Sequence, residues 1–182
     1  TSAGIFTAPN TFAPSGSLPP GSQTLYAKIT PSGSACFYVV PFIYVFLPNF
    51  TTQPTPVTVC VPQAASFTVA ATNAASFQWQ ISTNGGGDWT DITASAVYTN
   101  VTTPTLNISN TTGLNANQYR CVATNVGGSV NSNAATLTAI TTVSTPTGTL
   151  TWTGAISTDW NLSCNWSPAS VPGAGNDVVI PN

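Results

Sequence analysis

Turn chemistry recurs so closely along this sequence that only short strands fit between one turn and the next. Seven runs favour strand: Val57–Val61, Ser66–Thr72, Ser76–Ser82, Trp89–Ile92, Thr105–Ser109, Gln118–Thr124 and Ala134–Ile140. They are rich in Val, Ile, Thr and aromatic residues, which suit a pleated, half-buried surface. Phe67 and Val69, and likewise Phe77, Trp79 and Ile81, alternate with polar neighbours, the period of a strand with one buried face. Asn84-Gly85-Gly86-Gly87 reads as a hairpin turn that needs positive φ. Helix has little support, because Glu and Met are absent and 15 Pro and 14 Gly interrupt every long stretch. The expectation is an all-β chain whose centre, 57–140, is a sandwich of short strands.

Charge narrows the function. Six residues are charged: Lys28, Asp88, Asp91, Arg120, Asp159 and Asp177. Without His or Glu there is no ordinary general base, imidazole metal ligand or hydrolytic triad, so enzymatic activity is not expected. Two cations do not neutralise a phosphate backbone, which excludes nucleic acid as a partner. No Asp-x-Asp-x-Asp run is present to supply the six to eight oxygens of a calcium site, and no metal or cofactor is expected. Thr, Ser and Asn number 31, 18 and 16, so solubility rests on hydroxyls and amides. At a net charge of −2 such a surface tends to self-associate, which suits a subunit packed into a larger polymer.

The flanks read as incomplete. Residues 1–53 hold three strand candidates, Gly4–Phe12, Thr24–Thr30 and Cys36–Leu47, too few for a sandwich of their own. The third is apolar on both faces and contains Pro41, the mark of an edge or bulged strand. At 12 residues it is too short to cross a bilayer as a helix, so membrane insertion is not expected. Two readings stand for it: a strand buried between sheets of its own domain, or an intersubunit contact with Phe37, Val39, Phe42, Tyr44 and Phe46 as the docking strand. Residues 51–56 and 141–149 read as linkers. Residues 150–182 cannot form a core alone and need residues beyond the end or another subunit. Trp152, Trp160 and Trp166 fall close together there, either as structural packing or as a platform for sugar rings. Arg120 should point to the outer face of its strand, opposite to Tyr119 and Cys121, and meet carbonyls or one Asp. Six Asn-x-Ser/Thr sequons, at Asn49, Asn100, Asn107, Asn110, Asn161 and Asn165, are of the kind that arises by chance in so Thr- and Asn-rich a chain.

The central segment resembles a known family. Phe77-Gln78-Trp79-Gln80, Gly85 to Ile92, Tyr98, Leu106-Asn107-Ile108, Tyr119-Arg120-Cys121 and Ala134 to Leu137 together resemble the immunoglobulin-like repeats of large secreted surface proteins of Bacteroidetes-type bacteria. The resemblance implies an Ig-like β-sandwich over 57–140, with Trp79 as the core Trp of strand C and Tyr119-x-Cys121 on strand F with its tyrosine corner. It implies that 1–53 closes another such repeat and that 150–182 opens a β-rich module. Phe67 or Val69 stands where strand B of such domains carries Cys, and Cys60 lies one strand earlier, so Cys60–Cys121 is the expected bridge. Cys36 and Cys164 leave three readings open: each paired with a cysteine outside this sequence, the two paired with each other between head-to-tail subunits, or the two free or paired within the chain. Four cysteines in such a chain fit an oxidising, extracytoplasmic place. The expected function is a non-enzymatic module of an extracellular, cell-surface fibre or adhesin whose partners are copies of itself or adjacent domains of one long chain. The alternative is a surface- or carbohydrate-binding module using Trp152, Trp160 and Trp166.

Overall fold

The computed structural model describes residues 4–7, 11–14, 23–29, 38–141 and 147–181. Two hairpins come first, β1 (Gly4–Thr7) with β2 (Thr11–Pro14), and β3 (Gln23–Ile29) with β4 (Tyr38–Tyr44). The sandwich follows. Its strands are β5 (Asn49–Thr52), β6 (Val57–Cys60), β7 (Ala65–Thr68), β8 (Ala70–Thr72), β9 (Ser76–Ser82), β10 (Thr90–Asp91), β11 (Tyr98–Thr99), β12 (Thr105–Ile108), β13 (Gln118–Asn125), β14 (Gly128–Asn131) and β15 (Ala135–Ile140). A small C-terminal sheet is made of β16 (Gly148–Trp152), β17 (Trp166–Ser167) and β18 (Asn176–Val179).

One layer of the sandwich runs β10-β9-β13-β15-β6, with β14 also on β13. The other holds β11-β12-β7 and the pair β5-β8. The segment expected to be a linker, 51–56, does something else. Thr51 and Thr52 belong to β5, antiparallel to β8: Thr52 pairs with Ala70, and Thr51 is the extra residue where the register shifts after Phe50. Pro54-Thr55-Pro56 then carries the chain to the opposite layer, where β6 pairs parallel to β15, Val57 opposite Leu137 and Cys60 opposite Ile140. Pro has no N–H for a ladder, so the two prolines end one pairing and allow the next.

Between the layers, β13 shows why the alternation matters: Tyr119, Cys121 and Ala123 all face inward and are fully buried. Phe67 stacks on Tyr119 with centroids 4.8 Å apart, and Trp79 lies 6.4 Å from Phe67. Leu106, Ile108 and Leu137 close the core around them. Two polar groups are carried in with the rings and find partners. The Trp79 indole donates to the Thr103 carbonyl at 2.9 Å, and the Tyr119 and Tyr98 hydroxyls are 3.3 Å apart. The expected core positions of Trp79, Tyr119 and Cys121 are those of the structure.

One turn is strained. Ala116 sits at φ +66°, held by its N–H to the Leu137 carbonyl at 2.9 Å. A left-handed conformation costs a residue with a Cβ about 1–2 kcal/mol, and Gly gives back part of that through its greater freedom when unfolded. Ala116→Gly should therefore stabilise the chain by about 0.5–1 kcal/mol, read as a higher urea midpoint. A lower midpoint would show that the turn carries no such strain.

Candidate functional site

The features with chemical or mechanical content gather at the two ends of the sandwich. At the end where β15 finishes, Cys60 closes β6 and is bonded to Cys164, which lies in a 3₁₀ turn over Ser163–Asn165. The Cα atoms are 5.9 Å apart and both residues are buried. The Val61 N–H donates to the Ile140 carbonyl at 3.0 Å, and the Cys164 sulfur lies 3.8 Å from that same oxygen. This corrects the expected Cys60–Cys121 bridge. Cys121 is a free thiol, because the residues facing it in strand β7 and just after it are Phe67 and Val69, and Cys60 sits at the far edge of the same sheet. Cys164 is likewise no longer open to Cys36. Cys36 itself, with Phe37, lies outside the described residues.

Beyond the bond, residues 147–181 build a compact unit on little apolar material. β16 pairs antiparallel to β17 and parallel to β18, Leu150 opposite Val178. Leu150, Cys164 and Trp166 are its buried apolar residues. Its organiser is Asn165, fully buried. The Asn165 Oδ1 accepts from the Ile156 and Ser157 N–H groups at 2.9 and 3.0 Å. Its Nδ2 donates to the Ser157 hydroxyl at 3.0 Å and the Asp159 carbonyl at 2.8 Å. The loop from Thr153 to Asn165 is wound on that one amide. The sequence exposes Asn165 only as a sequon, and both amide hydrogens are already engaged.

The three tryptophans come together as expected, though not as three platforms. Trp152 and Trp160 stack at 5.1 Å and 17°, and Trp166 meets both edge-on at 5.1 and 4.5 Å. The Trp166 indole donates to the Trp160 carbonyl at 2.9 Å. Trp166 is interior and Trp152 half-buried; Trp160 keeps 43% of its surface exposed.

At the opposite end, the β13–β14 hairpin receives the chain arriving from β4. Asn125 donates to the Phe46 carbonyl at 2.6 Å and to the Asn73 carbonyl at 2.8 Å. A Cβ on Gly127 would stand 3.2 Å from Val45, and one on Gly128, at φ +138°, 3.2 Å from Leu47. The two glycines let those side chains lie directly on the hairpin. The docking-strand residues divide. The β3–β4 register is regular, Tyr26 opposite Pro41, so alternate residues share a face. Tyr26, Val39, Pro41 and Ile43 are exposed, Tyr26 and Ile43 each at 69%. Phe42 and Tyr44 belong to the other face and are half-buried, with the Tyr44 ring 5.1 Å from that of Phe46.

Arg120 points outward from β13 as expected and stacks on Trp89 with its Cζ 4.2 Å from the ring centre. Its Nε donates to Gln80 at 2.8 Å, and Gln80 donates to Asp91 at 2.7 Å. The acid is thus reached through an amide rather than directly. Asp88 accepts from Asn84 at 2.8 Å within the Gly-rich turn.

The geometry is that of an immunoglobulin sandwich, and a model of the immunoglobulin I-set domain matches residues 48–138, half of the chain. The chain belongs to the I-set family. That match begins at the residue before β5, so β5 is part of the I-set domain. Domains of this family are generally non-catalytic structural or adhesion modules. Among solved structures, the titin M10–obscurin-like 1 Ig complex is similar at 20% identity, over 53% of this chain and 97% of that one, with a TM-score of 0.43. Titin M4 is similar at 24% identity, over 51% and 95%, with a TM-score of 0.41. The Ig1-2 module of the Drosophila receptor tyrosine phosphatase DLAR is similar at 25% identity, over 58% and 55%, with a TM-score of 0.40. No curated protein matches the chain. Among the described residues no helix is long and apolar enough to cross a membrane.

Two expected outcomes follow from this geometry. Replacing Asn165 by Leu keeps the branched shape but takes the partner from the part-buried Ile156 and Ser157 N–H groups and the Asp159 carbonyl, at about 0.5–1.5 kcal/mol for each bond lost. Amide exchange in 153–165 should quicken by about a hundredfold or more, and that in β9 and β13 should not change. Equal protection in wild type and variant would show that the amide does not organise the loop. The second concerns pH. Burial pushes the Cys121 thiol up from 9.0 to about 12, and burial together with the Tyr98 hydroxyl raises the Tyr119 phenol. Both groups are held neutral, so their stabilisation is complete below pH 9 and falls as pH rises towards 12. The urea midpoint should drop above about pH 9, less steeply in Cys121→Ala. An identical slope in the variant would contradict the assignment to the thiol.

Proposed function

We propose that this chain is a non-enzymatic structural module of an extracellular, cell-surface fibre or adhesin, in which the I-set sandwich is a rigid spacer. The segments 1–53 and 150–182 join it to what comes before and after, either copies of itself or adjacent domains of one long chain. The observation that carries this reading is that both ends of the sandwich are tied to a flanking unit. One is tied by the Cys60–Cys164 bond, the other by Asn125 with Val45 and Leu47 against the hairpin. Free-standing domains connected by loose linkers do not need such ties, because relative motion is their default. The placement outside the cell is supported by the disulfide. The placement among Bacteroidetes-type surface proteins rests on the motif resemblance of the central segment.

Assembly is proposed to use the exposed apolar face of the β3–β4 hairpin. Val39→Asp with Ile43→Asp should abolish sedimenting assemblies of the chain while leaving the sandwich folded, as judged by Trp fluorescence. Undiminished assembly would remove this face from the proposal.

A second reading is kept because Trp160 is 43% exposed beside exposed Asp159, which leaves part of one indole open to a sugar ring. Binding on a glycan array that disappears in Trp160→Ala would favour it, and absence of binding by the wild type would dismiss it.

A further inference from the structure

The position of the disulfide along the chain has a mechanical meaning. The bond joins residues 104 apart in sequence, and β7 to β15 all lie inside the loop it closes. Suppose the chain is pulled at its two ends. Tension then runs along the backbone to Cys60, crosses the sulfur–sulfur bond, and continues from Cys164 towards the C-terminus. The backbone between them carries none of it. Strand β5, strand β6 and the piece that follows Cys164 are the only described parts of the sandwich and tail on the loaded path.

We propose that the Cys60–Cys164 bond is a shunt that carries tension past the sandwich, making the module short and inextensible when oxidised and extensible when reduced. The mechanical sense of this rests on the spacer reading above. The change in length follows from connectivity alone. At about 3.3–3.6 Å per extended residue, the shunted loop hides roughly 350 Å of chain.

Three observations make the shunt a stable one. Cys60 is 2% exposed and Cys164 4%, so a reductant does not reach the bond on the native surface. The remaining described cysteine, Cys121, is buried in the core as a protonated thiol and offers no thiolate to exchange with it. The Cys60 side of the junction is also fixed by backbone bonds, Val61 to Ile140 and Gln63 to Cys60, and the Cys164 sulfur lies 3.8 Å from that Ile140 carbonyl. Opening the shunt is a two-electron reduction. A dithiol such as dithiothreitol supplies two electrons and two protons, the sulfur–sulfur bond becomes two thiols, and the reagent closes its own disulfide.

The test is single-molecule extension of the full chain between handles at its two ends, with the contour length read at full stretch. The oxidised chain is expected to be shorter by roughly 350 Å than the chain reduced with dithiothreitol in denaturant before tethering. The Cys60→Ser/Cys164→Ser double variant should have the long contour without reductant. Contour is read on the stretched tether, so it reports the shunt even if the variant folds poorly. Equal contours in oxidised and reduced wild type would overturn the proposal, as would a double variant as short as the oxidised chain. A shortened oxidised tether from material that forms no fibre and no adhesive contact would uphold the shunt and remove the spacer role.

Discussion

The bond between Cys60 and Cys164 closes a loop of 104 residues and joins two units that have unequal means of holding themselves together. The sandwich has a full apolar interior around Phe67, Trp79, Leu106, Tyr119 and Leu137. The C-terminal unit has Leu150, Trp166 and the half-cystine itself. So small a core cannot repay the entropy of ordering its chain. A cross-link over a loop this long removes freedom from the unfolded chain equivalent to roughly 4–5 kcal/mol on the chain-entropy account. The tail is ordered because it is attached, and the position of β16, β17 and β18 follows from that attachment.

Near-absence of charge sets how everything else is fixed. With two cations and four acids in the chain, ion pairs cannot position loops. Amides and hydroxyls do it instead. Asn165 gathers the 153–165 loop, Asn125 fastens the entering segment, and Asn84 shapes the Gly-rich turn. Gln80 bridges Arg120 to Asp91, and Ser132 accepts from the Cys121 N–H at 2.9 Å inside the core. Among the described residues no buried side-chain nitrogen or oxygen lacks a partner. Interactions of this kind do not weaken with salt as surface ion pairs do.

Much of the sandwich was legible in the sequence because its signals are local. The alternation around Phe67 and Trp79, the Gly-rich turn and the Tyr119-x-Cys121 pattern each lie within one strand or one turn. What the sequence hid is what depends on distant segments meeting. The partner of Cys60 lies 104 residues away, and neither spacing nor composition around Cys164 points to it. The division of the first strand between two sheets looked like a linker, because Pro-rich crossovers and Pro-rich linkers share a composition. The faces of β4 were not legible for a different reason. Pro41 marks an edge or bulged strand, and a run apolar on both sides has no alternation to set its register. The ladder with β3 is regular, and Val39 and Phe42 lie on opposite faces. Asn165 carried a signal only as a sequon, and nothing in a sequon marks a buried amide with four hydrogen bonds.

Direct mapping of the cysteines is the measurement on which the account turns. Native chain would be alkylated without reduction, digested at Asp and at aromatic residues so that Cys36, Cys60, Cys121 and Cys164 separate, and read by mass spectrometry. The account requires a peptide pair joining Cys60 to Cys164, with Cys121 modified only after denaturation. A Cys60–Cys121 pair, or Cys164 joined to Cys36, would contradict it and with it the fixed junction on which the spacer depends.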